Sequence, residues 1–204
     1  MNNYKLNDKV ILITGAAGQL GQSIVNQAIN SGANVICSDV SMVTLKEVAN
    51  ENSWNSQTKI VEIDITNQKS IKDAFDIGIS KFGKIDALIN NAGVSVFDPW
   101  LERDEKDFDL VMDVNLKGTF LCMKEFFKHL IKSKNIGSVV NIASHYGIVS
   151  PDPRIYTDCE RRNSEVYGAT KAGIIQMTKY FAVNALLDGA NVRVNAIAPG
   201  GILN

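Results

Sequence analysis

The strongest constraint on this chain is an alternation. Six short apolar runs, KVILIT (9–14), NVICSD (34–39), KIVEID (59–64), DALIN (86–90), SVVNIAS (138–144) and VRVNAIA (192–198), are separated by longer segments of helical period. Such alternation reads as parallel βαβ units. Helices are expected from the loop after residue 14 to about Ser31, over about 42–52, over about 67–82, from Asp104 to Ser133, and over about 165–187. Gly32 and Gly83 stand where the first and third should stop, because glycine tolerates the positive φ of a helix terminus. Between Asp104 and Ser133 the residues Phe108, Val111, Met112, Leu116, Phe120, Met123, Phe127 and Leu130 keep the spacing of one long amphipathic helix. Val166, Ile174, Met177 and Phe181 do the same for the last. Right-handed crossovers then give an α/β doubly wound parallel sheet with helices on both faces. Ligands bind beyond the carboxyl ends of its strands, where the strand order reverses. No repeat, low-complexity tract or linker breaks the pattern, so residues 1–204 read as a single domain.

Composition narrows the function. With 45% hydrophobic residues the chain can bury one sizeable core, and 21 basic against 22 acidic residues create no field that would draw nucleic acid or an anionic membrane. No charged amino-terminal region precedes an apolar run, and no stretch approaches a membrane span, so a cytoplasmic location is expected. Cys37, Cys122 and Cys159 are odd in number and far apart, which argues for reduced thiols rather than disulfides or a zinc site. With only His129 and His145 as imidazoles, no metal is expected.

The stretch TGAAGQLG, Thr14 to Gly21, follows the first strand and opens the first helix. A glycine turn there lets backbone N–H groups approach a pyrophosphate, with the positive end of the helix dipole behind them. Gly15 would make the turn, Gly18 allow the approach and Gly21 let the helix pack on the strand. The bland reading is a tight turn with no ligand. Asp39 favours the ligand: it ends the second strand, near the offset expected of the acid that hydrogen-bonds an adenine ribose. A carboxylate there accepts from the ribose hydroxyls and repels a 2′-phosphate, and neither Ala16 nor Ala17 supplies a compensating cation. NAD is therefore expected over NADP.

A second constellation is YGATK, in which Tyr167 and Lys171 lie four residues apart on one helix face. A neighbouring ammonium should pull the tyrosine toward phenolate, making it a general acid or base for an alcohol or carbonyl. Chance alone supplies about 0.4 such pairs in a chain of this composition. The weight comes from context, because the helix follows a strand that ends in Ser144, whose hydroxyl can meet the same substrate oxygen. Strand-end capping is the competing reading for Ser144.

TGAAGQLG, Asp39, NNAG (Asn90 to Gly93), VNLKG with Asn115, NIAS with Ser144, YGATK and NAIAPGG (Asn195 to Gly201) occur in one order over essentially the whole chain. Together they resemble the short-chain dehydrogenase/reductase family, in its single-domain oxidoreductase branch. The resemblance implies a Rossmann-like sheet of about six strands in the order 3-2-1-4-5-6, and an NAD-dependent enzyme interconverting a secondary alcohol and a ketone. It implies a catalytic tetrad of Asn115, Ser144, Tyr167 and Lys171, with Asn115 at a local break in the long helix, holding a water that relays protons from Lys171. Cofactor contacts are implied from Gly15, Gly18, Gln19, Leu20 and Gly21; from Asp39; from Asp64 and Ile65 at the adenine; and from Asn91, Ala92 and Gly93 on the ribose side. Tyr167 and Lys171 are implied at the nicotinamide ribose, and Pro199, Gly200 and Ile202 at the nicotinamide. A homodimer or homotetramer built on the two long helices is implied as well.

Three departures shape the alternatives. Glycines at 15, 18 and 21 are spaced more like the nucleotide-sugar epimerase and dehydratase branch. The segment Pro151 to Val166 lengthens the gap between Ser144 and Tyr167, and its Arg154, Arg161 and Arg162 suit either a substrate anion or a solvated insertion. Its layout resembles oxidoreductases of surface-glycan or flagellin-sugar synthesis. His145 reads either as a substrate contact or as a packing residue. Family members also continue past PGG, so a fold lacking its last strand and substrate lid is expected, with the sixth strand an exposed edge. A catalytically impaired NAD-binding module is the reading from a different class.

Overall fold

The structure is a computed structural model, and it describes residues 5–152, 154 and 163–202. The strands are β1 (Val10–Thr14), β2 (Asn34–Asp39), β3 (Thr58–Glu62), β4 (Ala87–Asn90), β5 (Gly137–Ile142) and β6 (Val192–Ile197). They pair in the order β3-β2-β1-β4-β5-β6, and every pairing is parallel. This is the expected 3-2-1-4-5-6 order, which reverses between β1 and β4. The helices are α1 (Gln19–Asn30), α2 (Met42–Glu51), α3 (Gln68–Phe82), α4 (Glu105–Val111), α5 (Thr119–Ser133) and α6 (Glu165–Asn184).

The period of two in β1 divides the core between the faces of the sheet. Val10 and Leu12 pack with Ile36, Ile71, Phe75, Phe126, Leu130 and Val194 under α3 and α5, with Met177 and Phe181 of α6 against the same cluster. Ile11 and Ile13 point the other way, to Val25 and Ala28 of α1, Leu45 of α2, Val35 and Cys37. Burial pushes the Cys37 and Cys122 thiols up to about 12, so both remain protonated at neutral pH. Cys159 lies outside the described residues.

Helix ends follow the sequence closely because short polar side chains cap them. Asn67 accepts from Lys69 and Ser70 N–H at the start of α3, and Asp104 from Asp107 N–H at the start of α4. Gly32 and Gly83 take the expected positive φ, 91° and 79°. Two elements differ from the sequence reading. The Asp104–Ser133 helix is not the continuous one that its period suggested: Met112–Gly118 is a π-helical turn between α4 and α5, at the local break that the resemblance implied for Asn115. Its extra residue per turn hardly disturbs the apolar spacing, so the period does not show it. The last helix ends at Asn184 rather than near 187, and a turn carries the chain to Gly189, with φ 89°.

β6 is an edge strand with Asn195, Ala196 and Ile197 exposed. No helix among the described residues is long and apolar enough to cross a membrane.

One core contact is tight enough to test. A Cβ at Gly78 of α3 would sit 2.3 Å from Cδ1 and 3.1 Å from Cγ1 of the fully buried Ile36. Alanine in mid-helix gains about 1 kcal/mol over glycine, but overpacking a filled core costs about 1–3 kcal/mol. Gly78→Ala should therefore destabilise the wild type in urea unfolding. In an Ile36→Val background, where Cδ1 is gone, the same change should be neutral or stabilising. Additive effects of the two substitutions would contradict this contact.

Candidate active site

The site begins where β1 and β4 end side by side at the reversal of strand order. Thr14 Oγ1 accepts from the N–H groups of Asn91 and Ala92, both at 3.1 Å. The Asn91 side-chain amide returns to the carbonyls of Thr14 and Gly15 at 3.0 and 2.9 Å. Gly15, at φ 65°, is in a conformation that side chains disfavour, and a Cβ there would lie 2.8 Å from Ala92 Cα. A Cβ on Gly21 would lie 2.1 Å from Gly15 O and 2.8 Å from Ala16 Cα, both backbone atoms that cannot yield. Gly21 thus faces the loop and packs α1 against it; it does not line the cleft.

The cleft has a volume of about 710 Å³ and runs along the carboxyl ends of the strands. One end is lined by Gly15, Gly18, Gln19, Leu20, Asp39 and Asp64, with Val40, Ile63, Ile65, Thr66, Leu110 and Val114. Asn91, Ala92 and Gly93 form its middle, and Ser144, Tyr167, Lys171, Pro199, Gly200 and Ile202 line the other end. Asp39 Oδ2 accepts from Ala17 N–H at 3.0 Å, tying the end of β2 to the glycine loop. Asp64 Oδ1 accepts from the N–H and hydroxyl of Thr66, at 2.9 and 2.7 Å. A dinucleotide fits this surface: Gly15 and Gly18 line it without side chains, the first-turn amides of α1 point out of a helix N-terminus, and a carboxylate stands at the end of β2.

At the other end, Ser164 caps α6 by accepting from Tyr167 N–H at 3.2 Å, which fixes where the helix begins. Four residues later Lys171 is 4% exposed, and its Nζ donates to the Ile142 carbonyl at 2.7 Å. The same Nζ lies 5.4 Å from the centroid of the Tyr167 ring. Burial pulls the lysine down from 10.5 to about 8. Tyr167 moves opposite to the sequence expectation: burial raises it above 10, and a hydrogen bond with Ser144 offsets this only in part. The ammonium sits against the ring and the β5 carbonyl, so desolvation of the phenolate outweighs attraction. Ser144 Oγ also accepts from Tyr146 N–H at 3.2 Å, so it caps the turn at His145–Gly147 while facing the cleft.

Asn115 sits in the π-helical turn, fully buried behind the cleft wall. It exchanges both amide bonds with Val94, Nδ2 to O at 2.9 Å and N to Oδ1 at 2.8 Å, and reaches Thr170 Oγ1 at 3.3 Å. Only Gly93 separates it from Lys171: a Cβ on that glycine would be 3.3 Å from Asn115 Oδ1 and 3.5 Å from Lys171 Nζ. His145 holds the Pro199 carbonyl through its N–H, at 3.0 Å, and its ring lies against Tyr146, a packing role. Arg154 pairs with Asp152, two residues away, on the surface. Arg161 and Arg162 lie outside the described residues.

Sequence reasoning missed several residues that shape the site. Thr14 and Thr170 hydrogen-bond Asn91, Ala92 and Asn115, which only the fold brings near, and Ser164 caps the start of α6. Asn141 accepts from Asn90 at 2.8 Å and donates to Thr178 at 2.9 Å, joining β4, β5 and α6 inside the core. Arg103, with its side chain 4% exposed, pairs with Glu165 at the start of α6. The signals were faint: polar residues within apolar runs, and an arginine beside an acidic cap.

Comparison with known proteins decides the family. Residues 9–203 match the short chain dehydrogenase family. This chain belongs to the short-chain dehydrogenase/reductase family. It is 37% identical to the 3-oxoacyl-(acyl-carrier-protein) reductase FabG of Thermotoga maritima, over 97% of this chain and 76% of the relative. It is 32% identical to the 7alpha-hydroxysteroid dehydrogenase of Bacteroides fragilis, over 100% of this chain and 74% of that protein. The crystal structure of a short chain dehydrogenase from Leptospira borgpetersenii, with bound NAD+, superposes with a TM-score of 0.85 at 38% identity, over 99% of this chain and 74% of that one. As a family member, the chain is a dehydrogenase/reductase acting on CH–OH groups.

Lys171 makes a test of the site's burial. Its folded value, about 8, is below its ordinary 10.5, so between them the unfolded chain binds the extra proton and stability rises with pH. Relative to Lys171→Met, the wild type should gain about 3 kcal/mol of unfolding free energy from pH 8 to pH 10.5 in urea titrations. Parallel profiles would show a hydrated ammonium instead.

Proposed function

We propose that this chain is an NAD-dependent oxidoreductase that interconverts a secondary alcohol and a ketone, with Tyr167 as the general acid and base. One observation carries the reading. A single cleft has a glycine loop and Asp39 at one end, and Ser144, Tyr167 and Lys171 at the other. The NAD+ bound to the Leptospira relative supports the cofactor. When bound, the nicotinamide supplies or accepts a hydride.

The chain's own residues do the rest. Asp39 accepts from ribose hydroxyls and repels a 2′-phosphate, and the first-turn amides of α1 face the pyrophosphate. Asp64 and Ile65 border the adenine; Asn91, Ala92 and Gly93 border the ribose; Pro199, Gly200 and Ile202 border the nicotinamide. Ser144 donates to the substrate oxygen and orients it. The Tyr167 hydroxyl gives up its proton for reduction and recovers it for oxidation. Lys171, buried and cationic near neutral pH, lowers the cost of negative charge on that oxygen once substrate replaces water around it. Asn115, held by Val94 and Thr170, keeps the wall beside Lys171 in place and stands where a water relay would begin.

Tyr167→Phe should lower turnover at least about a hundredfold, since it removes the proton donor, while NAD+ affinity stays within about twofold. Calorimetric titration and a screen of secondary alcohols, ketones and nucleotide-sugars would check both, and wild type should prefer NAD+ to NADP+. Undiminished turnover in the variant overturns the mechanism. Accumulation of free NADH would separate this reading from an epimerase, which returns its hydride to the same molecule, and from a binding module.

A homodimer or homotetramer is part of the same proposal. Met112, Leu116, Phe120, Met177 and Tyr180 line an apolar groove between the π-helical turn, α5 and α6, and Phe120 and Tyr180 are exposed there. A second copy presenting the same face would cover it. Light scattering should show an oligomer that Tyr180→Glu shifts toward monomer; a monomeric wild type overturns this.

A further inference from the structure

Outside the cleft, four side chains form a head-to-tail chain of hydrogen bonds that ends on the glycine loop. Trp54 Nε1 donates to Asn26 Oδ1 at 2.8 Å, and Asn26 Nδ2 donates to Asn52 Oδ1 at 2.7 Å. Asn52 Nδ2 donates to Gln22 Oε1 at 3.2 Å, and Gln22 Nε2 donates to the Ala17 carbonyl at 2.9 Å. The direction is fixed at both ends, because an indole N–H can only donate and a carbonyl can only accept. Asn52 Nδ2 also donates to Val48 O at 3.0 Å, which sets its amide independently.

The chain starts on rigid structure. Trp54 packs against the core under α1 and α2, Asn52 caps the end of α2, and Asn26 and Gln22 stand one turn apart on α1. It ends on a residue whose other polar group is also held, since Ala17 N–H donates to Asp39. Both peptide planes flanking Ala17 are thereby set. The N-cap that follows is Gly18, which has no side chain to cap α1. Gln22 does not replace the missing cap: it fixes the carbonyl before Gly18 and offers no acceptor to the first-turn N–H groups of α1.

We propose that Gln22 and Asn52 are positioning residues that hold the glycine loop ready for a dinucleotide, and so govern cofactor affinity. The inference rests on the cofactor reading above. Neither residue lines the cleft. A loop ordered before binding does not lose its backbone freedom on binding, and that saving appears as affinity. Because the amides act in series, removing either should release the same loop.

Calorimetric titration of the full chain with NAD+ tests this, together with amide exchange at residues 16–21. Gln22→Ala, Asn52→Ala and the isosteric Gln22→Glu, which cannot donate to Ala17, should each raise the NAD+ Kd about fivefold to tenfold. The Gln22→Ala/Asn52→Ala double variant should lose no more than the worse single. Loop amides should exchange faster in the free variants and match the wild type once saturated with NAD+. Wild-type Kd in the single variants overturns the proposal, as does additive loss in the double or faster exchange throughout the chain. A wild type that binds no NAD+ overturns the cofactor reading itself.

Discussion

The contact on which the site depends is the stitch between the ends of β1 and β4. Thr14, Gly15, Asn91 and Ala92 exchange four hydrogen bonds where the strand order reverses. Strands on either side of a reversal send their connections away in opposite directions, leaving a crevice that the chain does not fill. The stitch keeps that crevice narrow and determinate. It leaves no space for a side chain at Gly15, and the curl of Gly15 in turn leaves none at Gly21. Glycine at 15 and 21 is therefore a consequence of close backbone approach, whatever branch of the family the spacing resembles.

From this point the functional groups are placed by graded rigidity. Asp39 reaches back from β2 to Ala17, and Gln22 reaches back from α1 to the same residue, so the loop is held from two elements. At the opposite end, Ser164 fixes the start of α6, Arg103 ties that helix turn to the loop after β4, and Lys171 anchors on the β5 carbonyl. Polar groups buried this deeply are costly unless paired, and nearly all of them here are paired. Lys171 has its hydrogen bond to the neutral Ile142 carbonyl, and its lowered pKa records the cost of its burial.

Much of the fold was legible because both of its periods survive in the chain. Val10 to Thr14 and Asn34 to Asp39 are apolar on both faces, as strands buried under two helical layers must be. Gly32, Asn67, Gly83 and Asp104 mark helix ends through local geometry alone. The π-helical turn was not legible in the apolar period, since its single extra residue barely moves Phe108, Leu116 and Phe120 off their stripe; only the family resemblance, which implied a break at Asn115, pointed to it. Of the site, Gly15, Asp39, Ser144, Tyr167 and Lys171 stood out because their spacing relative to strand ends carries meaning. Thr14, Thr170, Arg103, Gln22 and Asn52 did not, because each acts on a partner that only the fold brings near.

What the sequence by itself determined is the six strands, most of the helices, the parallel pairing and the residue types at the strand ends, because these follow from periodicity, turn chemistry and chain connectivity. Only the tertiary structure decided how those residues behave. Desolvation raises Tyr167 where a neighbouring cation alone would have lowered it, and it removes Asn115 from the cleft surface while leaving it against Lys171. The physical reason is that burial and hydrogen-bond direction are properties of three-dimensional surroundings. A spacing of four residues on a helix brings two groups together without saying which of their atoms will face solvent, carbonyl or ring.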